Sequence, residues 1–269
     1  MADEIYKGIR GKTFNELIKS LLRRGNLKEK YVKDLISAKN MKLYEQSFTH
    51  QSANSENNYE VFEQVGDVLV GQFIINYCYK RFPQLKCTRG VKVVARLKIN
   101  LGSKESLYKI GESLGFWEYI SATDKEREIK KKSLIEDVFE AFLGCTSQIL
   151  DEKYKPGVGY AICYDILSSI FDNIDISLAY DDLYDAKTRF KEIIDKYPNL
   201  TKIEYTDTHD EIFTANLFIT IDGKRTFLGS GRAPKKADAL QKASKEGIEF
   251  LNKRGFKKDI SDEYLFFCK

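Results

Sequence analysis

The stretch Asn58-Tyr59-Glu60-Val61-Phe62-Glu63-Gln64-Val65-Gly66-Asp67-Val68-Leu69-Val70-Gly71 decides how this chain is read. Glu60, Glu63 and Asp67 are spaced three and four apart, which sets all three on one stripe of a helix. At about 100° per residue they lie within roughly 60° of arc. Phe62, Val65, Leu69 and Phe73 fall on the opposite side, where a core holds them. Three like charges on one stripe repel one another, so the helix requires a compensating cation.

A second stretch, Ser133-Leu134-Ile135-Glu136-Asp137-Val138-Phe139-Glu140-Ala141-Phe142-Leu143-Gly144-Cys145, repeats the device. Asp137 and Glu140 stand at i,i+3 among apolar neighbours, and acids inside so apolar a helix need a partner or a metal. Gly71, one turn after Asp67, and Ala141 and Gly144, near Asp137, are small enough to let the two helices approach and gather four or five carboxylates. An oxygen-only cluster suits Mg²⁺ or Mn²⁺ and not zinc. Taken singly, such acidic pairs are ordinary solvated helix faces; two of them inside apolar helices leave both readings open.

The 269 residues carry 44 Lys and Arg against 40 Asp and Glu, a formal charge of +4, too weak to imply nucleic acid by itself. A hydrophobic fraction of 42% argues against disorder, and the length fits one large or two ordinary domains. His50 and His209, the two histidines, lie far apart, which leaves a multi-His zinc site poorly supported. The five cysteines form no C-x-x-C pair, as a reducing compartment would have it. The N-terminus lacks the apolar core of a signal peptide. Gln72 and Asn76 interrupt the most apolar run, Val68 to Tyr79, so no membrane span is expected. These features point to an intracellular, cytoplasmic protein that is not secreted, with no membrane partner and no organic cofactor.

Helical periodicity extends over 5–39, 41–52, 59–81 (ended by Phe82-Pro83), 90–113, 133–150 and on to about 174, with 125–132 expected as a charged loop. Between Pro156 and Ala186 there is no Lys or Arg while Asp accumulates, which marks 173–184 as an acidic linker. Beyond it come a helix (185–197), strands at 201–206, 211–221 and 224–230, and a helix at 234–253. The expected fold is multidomain: an all-α domain over 1–172, then a small α+β domain of order α-β-β-β-α over 185–254, with a tail at 255–269. Within 229–245, Arg232, Lys235, Lys236, Lys242 and Lys245 face Asp238 alone, and Lys235 and Lys236 open a helix whose N-terminal dipole favours phosphate.

With these residues in view, the chain resembles the ribonuclease III family. Glu60 to Asp67 matches its E-R-L-E-F-L-G-D signature at both Glu, the Gly and the Asp. Phe48-Thr49-His50-Gln51-Ser52 is similar to F-T-H-x-S, and Ser133 to Gly144 to S-I-L-A-D-V-F-E-A-L-I-G. The resemblance implies that Glu63, Asp67, Asp137 and Glu140 hold two divalent ions, Mg²⁺ or Mn²⁺. It places Glu60, Asp67 and Glu140 at the cleavage chemistry. It also implies a homodimer that makes staggered cuts in double-stranded RNA and leaves 5′-phosphate and 3′-hydroxyl ends. Such a mechanism needs no histidine base, and His50 receives no chemical role. Two departures stand out: Arg89 where the family has a Glu, and Gln64 where it commonly has a Phe packed across the dimer interface. The second implies either a repacked or a weakened interface.

The C-terminal region resembles the double-stranded RNA-binding domain. Gly229-Ser230-Gly231-Arg232-Ala233-Pro234-Lys235-Lys236-Ala237 matches its G-x-G-x-S/A-K-K-x-A element, and Asp185 to Ile193 is similar to its opening helix. Thr206 to Phe213 corresponds to its G-P-x-H-x-x-x-F loop, with Gly-Pro replaced. The resemblance implies RNA contacts from Lys187, Glu192, His209, Arg232, Lys235 and Lys236 across ~16 base pairs of A-form helix. Two rival readings remain: a degenerate, non-catalytic RNA binder, motivated by Arg89 and Gln64 but opposed by the retained acids, and a nuclease acting on DNA, disfavoured by the C-terminal domain.

Overall fold

The computed structural model describes residues 3–209, 212–221 and 223–267, without the side chains of 203–205, 207–209, 221, 262 and 263. It divides into two units, Met1–Ile176 and Ser177–Lys269. The first contains β1 (Ile5–Tyr6), α1 (Lys12–Arg23), α2 (Glu29–Leu35), α3 (Ala38–Ser47), α4 (Glu60–Arg81), α5 (Gly90–Leu101), α6 (Lys104–Ser113), β2 (Ala122–Thr123), α7 (Asp124–Lys153) and α8 (Val158–Phe171).

From Leu134 to Leu150, α7 is buried on nearly every side, which makes it the helix around which this unit packs. Helix α4 lies along it, burying Phe62, Gly66, Leu69, Val70, Phe73 and Ile74. Val65, expected in that core, is only half-buried, because the close approach of the two helices turns Gly66 inward instead. Phe82 and Pro83 end α4 as expected: Pro83 opens a short 3-10 turn and cannot continue the preceding hydrogen-bond ladder.

Other expectations fail in this unit, and the helix expected over 41–52 ends at Ser47. Helix does not start at residue 5: Ile5 and Tyr6 pair antiparallel with Thr123 and Ala122, and α1 begins only after Gly11. The charged stretch 125–132 is helical and not a loop, with a break in helical geometry at Lys130. Three local interactions hold it. Thr123 caps the helix by accepting from the Glu126 amide, and Glu126 pairs with Lys130 at 2.8 Å. The Arg127 guanidinium sits over the rings of Tyr6 and Trp117 at 4.0 and 3.8 Å. Charge alone does not distinguish such a helix from a solvated loop.

The second unit contains α9 (Tyr180–Leu183), α10 (Ala186–Lys196), β3 (Thr201–His209), β4 (Ile212–Ile221), β5 (Lys224–Ala233), α11 (Lys236–Lys253) and α12 (Asp262–Phe267). The strands form one antiparallel sheet in the order β3-β4-β5, with a bulge at Leu217/Phe218. Phe190 and Ile193 of α10, Leu217, Ile219 and Leu228 of the sheet, and Ala239, Leu240, Ala243 and Leu251 of α11 make the core. Gly231 lets β5 run directly beneath α11: a Cβ there would meet the Ala239 carbonyl oxygen at 2.1 Å.

The segment 173–184, expected as a linker, is split by the boundary at Ile176, and its second half is folded. Tyr180 and Leu183 are buried. The tail also packs: Tyr264 of α12 is buried against the rings of Tyr180 and Tyr184. Lys196 holds Asp259 at 2.7 Å and donates to the Lys257 carbonyl. Among the described residues no helix is long and apolar enough to cross a membrane.

Candidate active site

The site is built where α4 and α7 touch backbone to backbone. A Cβ on Gly66 would stand 1.9 Å from the carbonyl oxygen of Glu140, and a Cβ on Gly144 would stand 2.0 Å from that of Phe62. No side chain fits at either point. The two glycines therefore fix how closely the acids of one helix approach those of the other. Gly144 fulfils the role expected of it. Gly71 does not: its nearest neighbour is the Lys98 side chain at 3.1 Å, on the α5 side of the helix.

This approach brings Glu63, Asp67, Asp137 and Glu140 into one electrostatic neighbourhood. Burial pushes Glu140 up to about 8, with the charges of Asp67, Glu136, Glu63 and Asp137 adding to the shift. Burial likewise pushes Glu63 up to about 7, helped by Asp137, Glu136 and Glu60. The Asp137 carboxyl is also raised by burial, although it accepts a 2.8 Å hydrogen bond from the buried Tyr59 hydroxyl. Glu60 and Asp67 remain exposed at the rim.

Three participants were not visible in the sequence pattern. Tyr59 anchors Asp137 across 78 positions of chain. Glu136, which lies beside Asp137, is largely buried and raised by desolvation. Lys104, at the start of α6, reaches Glu136 at 2.5 Å. Spacing along single helices carries no signal for contacts made between helices.

The donors are oxygen-only, partly desolvated and mutually repelling, and by donor type they fit a hard divalent cation. Among the described residues, however, no three His, Cys, Asp or Glu side chains converge on a point that would hold a metal ion. The helices gather the four expected ligands without closing them into a coordination shell.

His50 is buried. Its Nδ1 accepts from the Ser52 amide at 3.1 Å, and Ser52 Oγ accepts in turn from the Thr123 amide, which ties the 48–52 segment to the start of α7. Burial lowers its pKa. Arg89 stands exposed at the N-terminus of α5, and Gln64 is exposed on α4.

The "Ribonuclease III domain" family model matches residues 60–148, a span that begins with Glu60 of α4 and runs past Glu140 of α7. Over 98% of its length the chain is 39% identical to a protein of Invertebrate iridescent virus 6 named "Putative ribonuclease 3", of which it covers 96%. The chain belongs to the ribonuclease III family. It is an endoribonuclease of the ribonuclease III type. A protein of the same name from Frog virus 3 is 36% identical over 88% of this chain, which spans 63% of that longer relative. The nuclease domain of Campylobacter jejuni ribonuclease III aligns with 60% of this chain and 97% of its own length, at 22% identity and a TM-score of 0.46.

The family match ends before the second unit of this ribonuclease III chain, where the residues expected to touch RNA fall as follows. Lys235 is the N-cap of α11 and Lys236 its first residue, and both are exposed, as are Arg232 and Lys187. Gln241 of α11 ties the start of α10 in place, donating to Asp185 and accepting from the Lys187 amide. Glu192 accepts from the Tyr180 hydroxyl and pairs with Lys258 of the tail at 2.7 Å. The His209 side chain lies outside the described residues.

Proposed function

We propose that the chain is a divalent-metal-dependent endoribonuclease that cuts double-stranded RNA, acting as a homodimer with one centre per subunit. The observation that carries this reading is the glycine-mediated contact of α4 and α7, because it holds the buried Glu140 within the field of Asp67, Glu136, Glu63 and Asp137 at a cost in repulsion that a purely structural interface would avoid. Glu63, Asp67, Asp137 and Glu140 would hold the metal, with Glu60 beside the scissile phosphate. When bound, two such ions activate a water and stabilise the departing 3′ oxygen, leaving 5′-phosphate and 3′-hydroxyl ends.

The chain's own contribution is positional. Tyr59 holds Asp137 by its hydroxyl, and the two buried glycines fix the separation of the helices. Burial and the neighbouring acids raise the Glu140 carboxyl to about 8, so it would hold a proton at neutral pH in the metal-free protein. Val61 and Val68, 63% and 67% exposed on the outer side of α4, flank Gln64 and supply an apolar stripe for a partner subunit. That stripe supports a repacked dimer interface. The second unit would serve as a double-stranded RNA-binding domain, with Lys235, Lys236 and the α11 N-terminus on the phosphates and Lys187 and Arg232 flanking them.

The test is incubation of long double-stranded RNA with the protein and Mg²⁺, beside Glu140→Gln and an EDTA control. Short products that vanish in both controls are expected. Intact RNA under every divalent ion tried, with binding retained, would make the chain a binder and not a nuclease of this substrate.

A further inference from the structure

The carboxylates of α4 and α7 have a neighbour that the metal-centre reading does not use. Lys104 opens α6 behind the Ser103 cap, and its Nζ lies 2.5 Å from Glu136 Oε2 and donates to Ser133 Oγ at 3.2 Å. Glu136 is 13% exposed at its side chain, stands next to Asp137 and lies one turn before Glu140. The positive charge of Lys104 acts on Glu63, Glu136 and Asp137 alike, and the charges of Glu136, Asp137 and Glu140 act back on Lys104. Nearby lysines have other partners: Lys130 pairs with Glu126, Lys131 with Glu112 and Lys132 with Glu105.

We infer that Lys104, anchored by Glu136, is the resident counter-cation of the carboxylate cluster: a positioning residue that keeps the acids of α4 and α7 together without metal and weakens their affinity for a divalent ion. The physical reason is competition for one negative field. A fixed ammonium beside the cluster relieves repulsion between acids at all times. It also repels any divalent ion that comes to do the same, and it does so strongly because the surroundings are partly desolvated. The inference rests on the reading of these acids as a metal centre.

The test uses the full chain, stripped of metal, and Mn²⁺ alone as the probe. Mn²⁺ binding is measured by calorimetry, and thermal unfolding is followed in EDTA and in Mn²⁺. Lys104→Ala is expected to bind Mn²⁺ about tenfold more tightly, as loss of one adjacent positive charge implies. It should also melt lower than wild type in EDTA and recover in Mn²⁺. Lys104→Arg keeps the charge and should restore both properties. In a Glu136→Gln background, which removes the anchor, the gain in affinity from Lys104→Ala should shrink.

Unchanged or weaker Mn²⁺ binding by Lys104→Ala overturns the inference, and so does an equal loss of melting temperature with and without metal, which is the mark of a structural lysine. An equal gain in both backgrounds removes Glu136 from the device. Wild-type protein that binds no Mn²⁺ overturns the metal-centre reading, and this inference with it.

Discussion

Replacing Gly66 by alanine sets two opposed effects against each other, and the structure says which wins. Alanine is the better helix former by about 1 kcal/mol, and Gly66 lies inside α4 with no left-handed φ to protect, so propensity alone predicts a more stable protein. Against this, the new Cβ would stand 1.9 Å from the Glu140 carbonyl oxygen and 2.4 Å from its carbon. Both are backbone atoms of a buried helix and cannot swing aside. Restoring ordinary contact requires α4 and α7 to separate by ~1.5 Å, and overpacking of this kind costs about 1–3 kcal/mol or more. The net expectation is a loss of about 1–2 kcal/mol in urea unfolding, followed through Trp117.

The larger effect falls on cleavage, because the same displacement moves the acids of α4 away from those of α7; misplacement of about 1 Å costs on the order of 100-fold in rate. Gly71→Ala is the control. Its nearest neighbour is the flexible end of Lys98, so the propensity gain of up to about 1 kcal/mol should survive and cleavage should be unaffected. If Gly66→Ala proved as stable as Gly71→Ala and cut RNA at the wild-type rate, the close approach of the helices would not be what assembles the site.

Two further predictions follow from the electrostatics of the two units. Glu63 and Glu140 hold their protons to about 7 and about 8 in the fold but release them near 4.5 when unfolded, so the folded state binds more protons between those limits. Stability of the metal-free protein should therefore fall as pH rises from about 5 to 8, and Glu140→Gln should flatten the trend; a melting temperature that climbs over this range in EDTA contradicts the assignment. In the second unit, Lys235→Ala with Lys236→Ala should weaken double-stranded RNA binding and lower the slope of log K against log salt by up to about 2. An unchanged slope would remove these lysines from the phosphate contacts.

The acids of the site were legible in the sequence because each pair sits on one helix, where spacing dictates which side chains share a face. The change from helical to strand patterning near residue 200 was legible for the same reason: alternation in 212–221 is a local property. Charge patterns were less informative. The stretch 125–132 is helix because Thr123 caps it and aromatic rings receive Arg127, and the rings come from Tyr6 and Trp117, neither of which is an immediate neighbour. The acidic stretch before α10 carried no signal of the Tyr180–Tyr184–Tyr264 cluster, whose third ring lies 80 residues away from the second.

By itself, the sequence pointed to the residues that could do the chemistry: two acid-bearing helices, a histidine-poor chain, and a basic helix start on a small α+β unit. Only the tertiary structure decided how they meet. Gly66 and Gly144, and not Gly71, set the helix separation. Tyr59 orients Asp137, Lys104 sits on Glu136, and Tyr180 and Lys258 take up Glu192. The reason is the range of the forces involved. Periodicity and capping act within a few residues and can be read along the chain. Close backbone approach, desolvation and charge pairing depend on distances in space, which only the packed fold supplies.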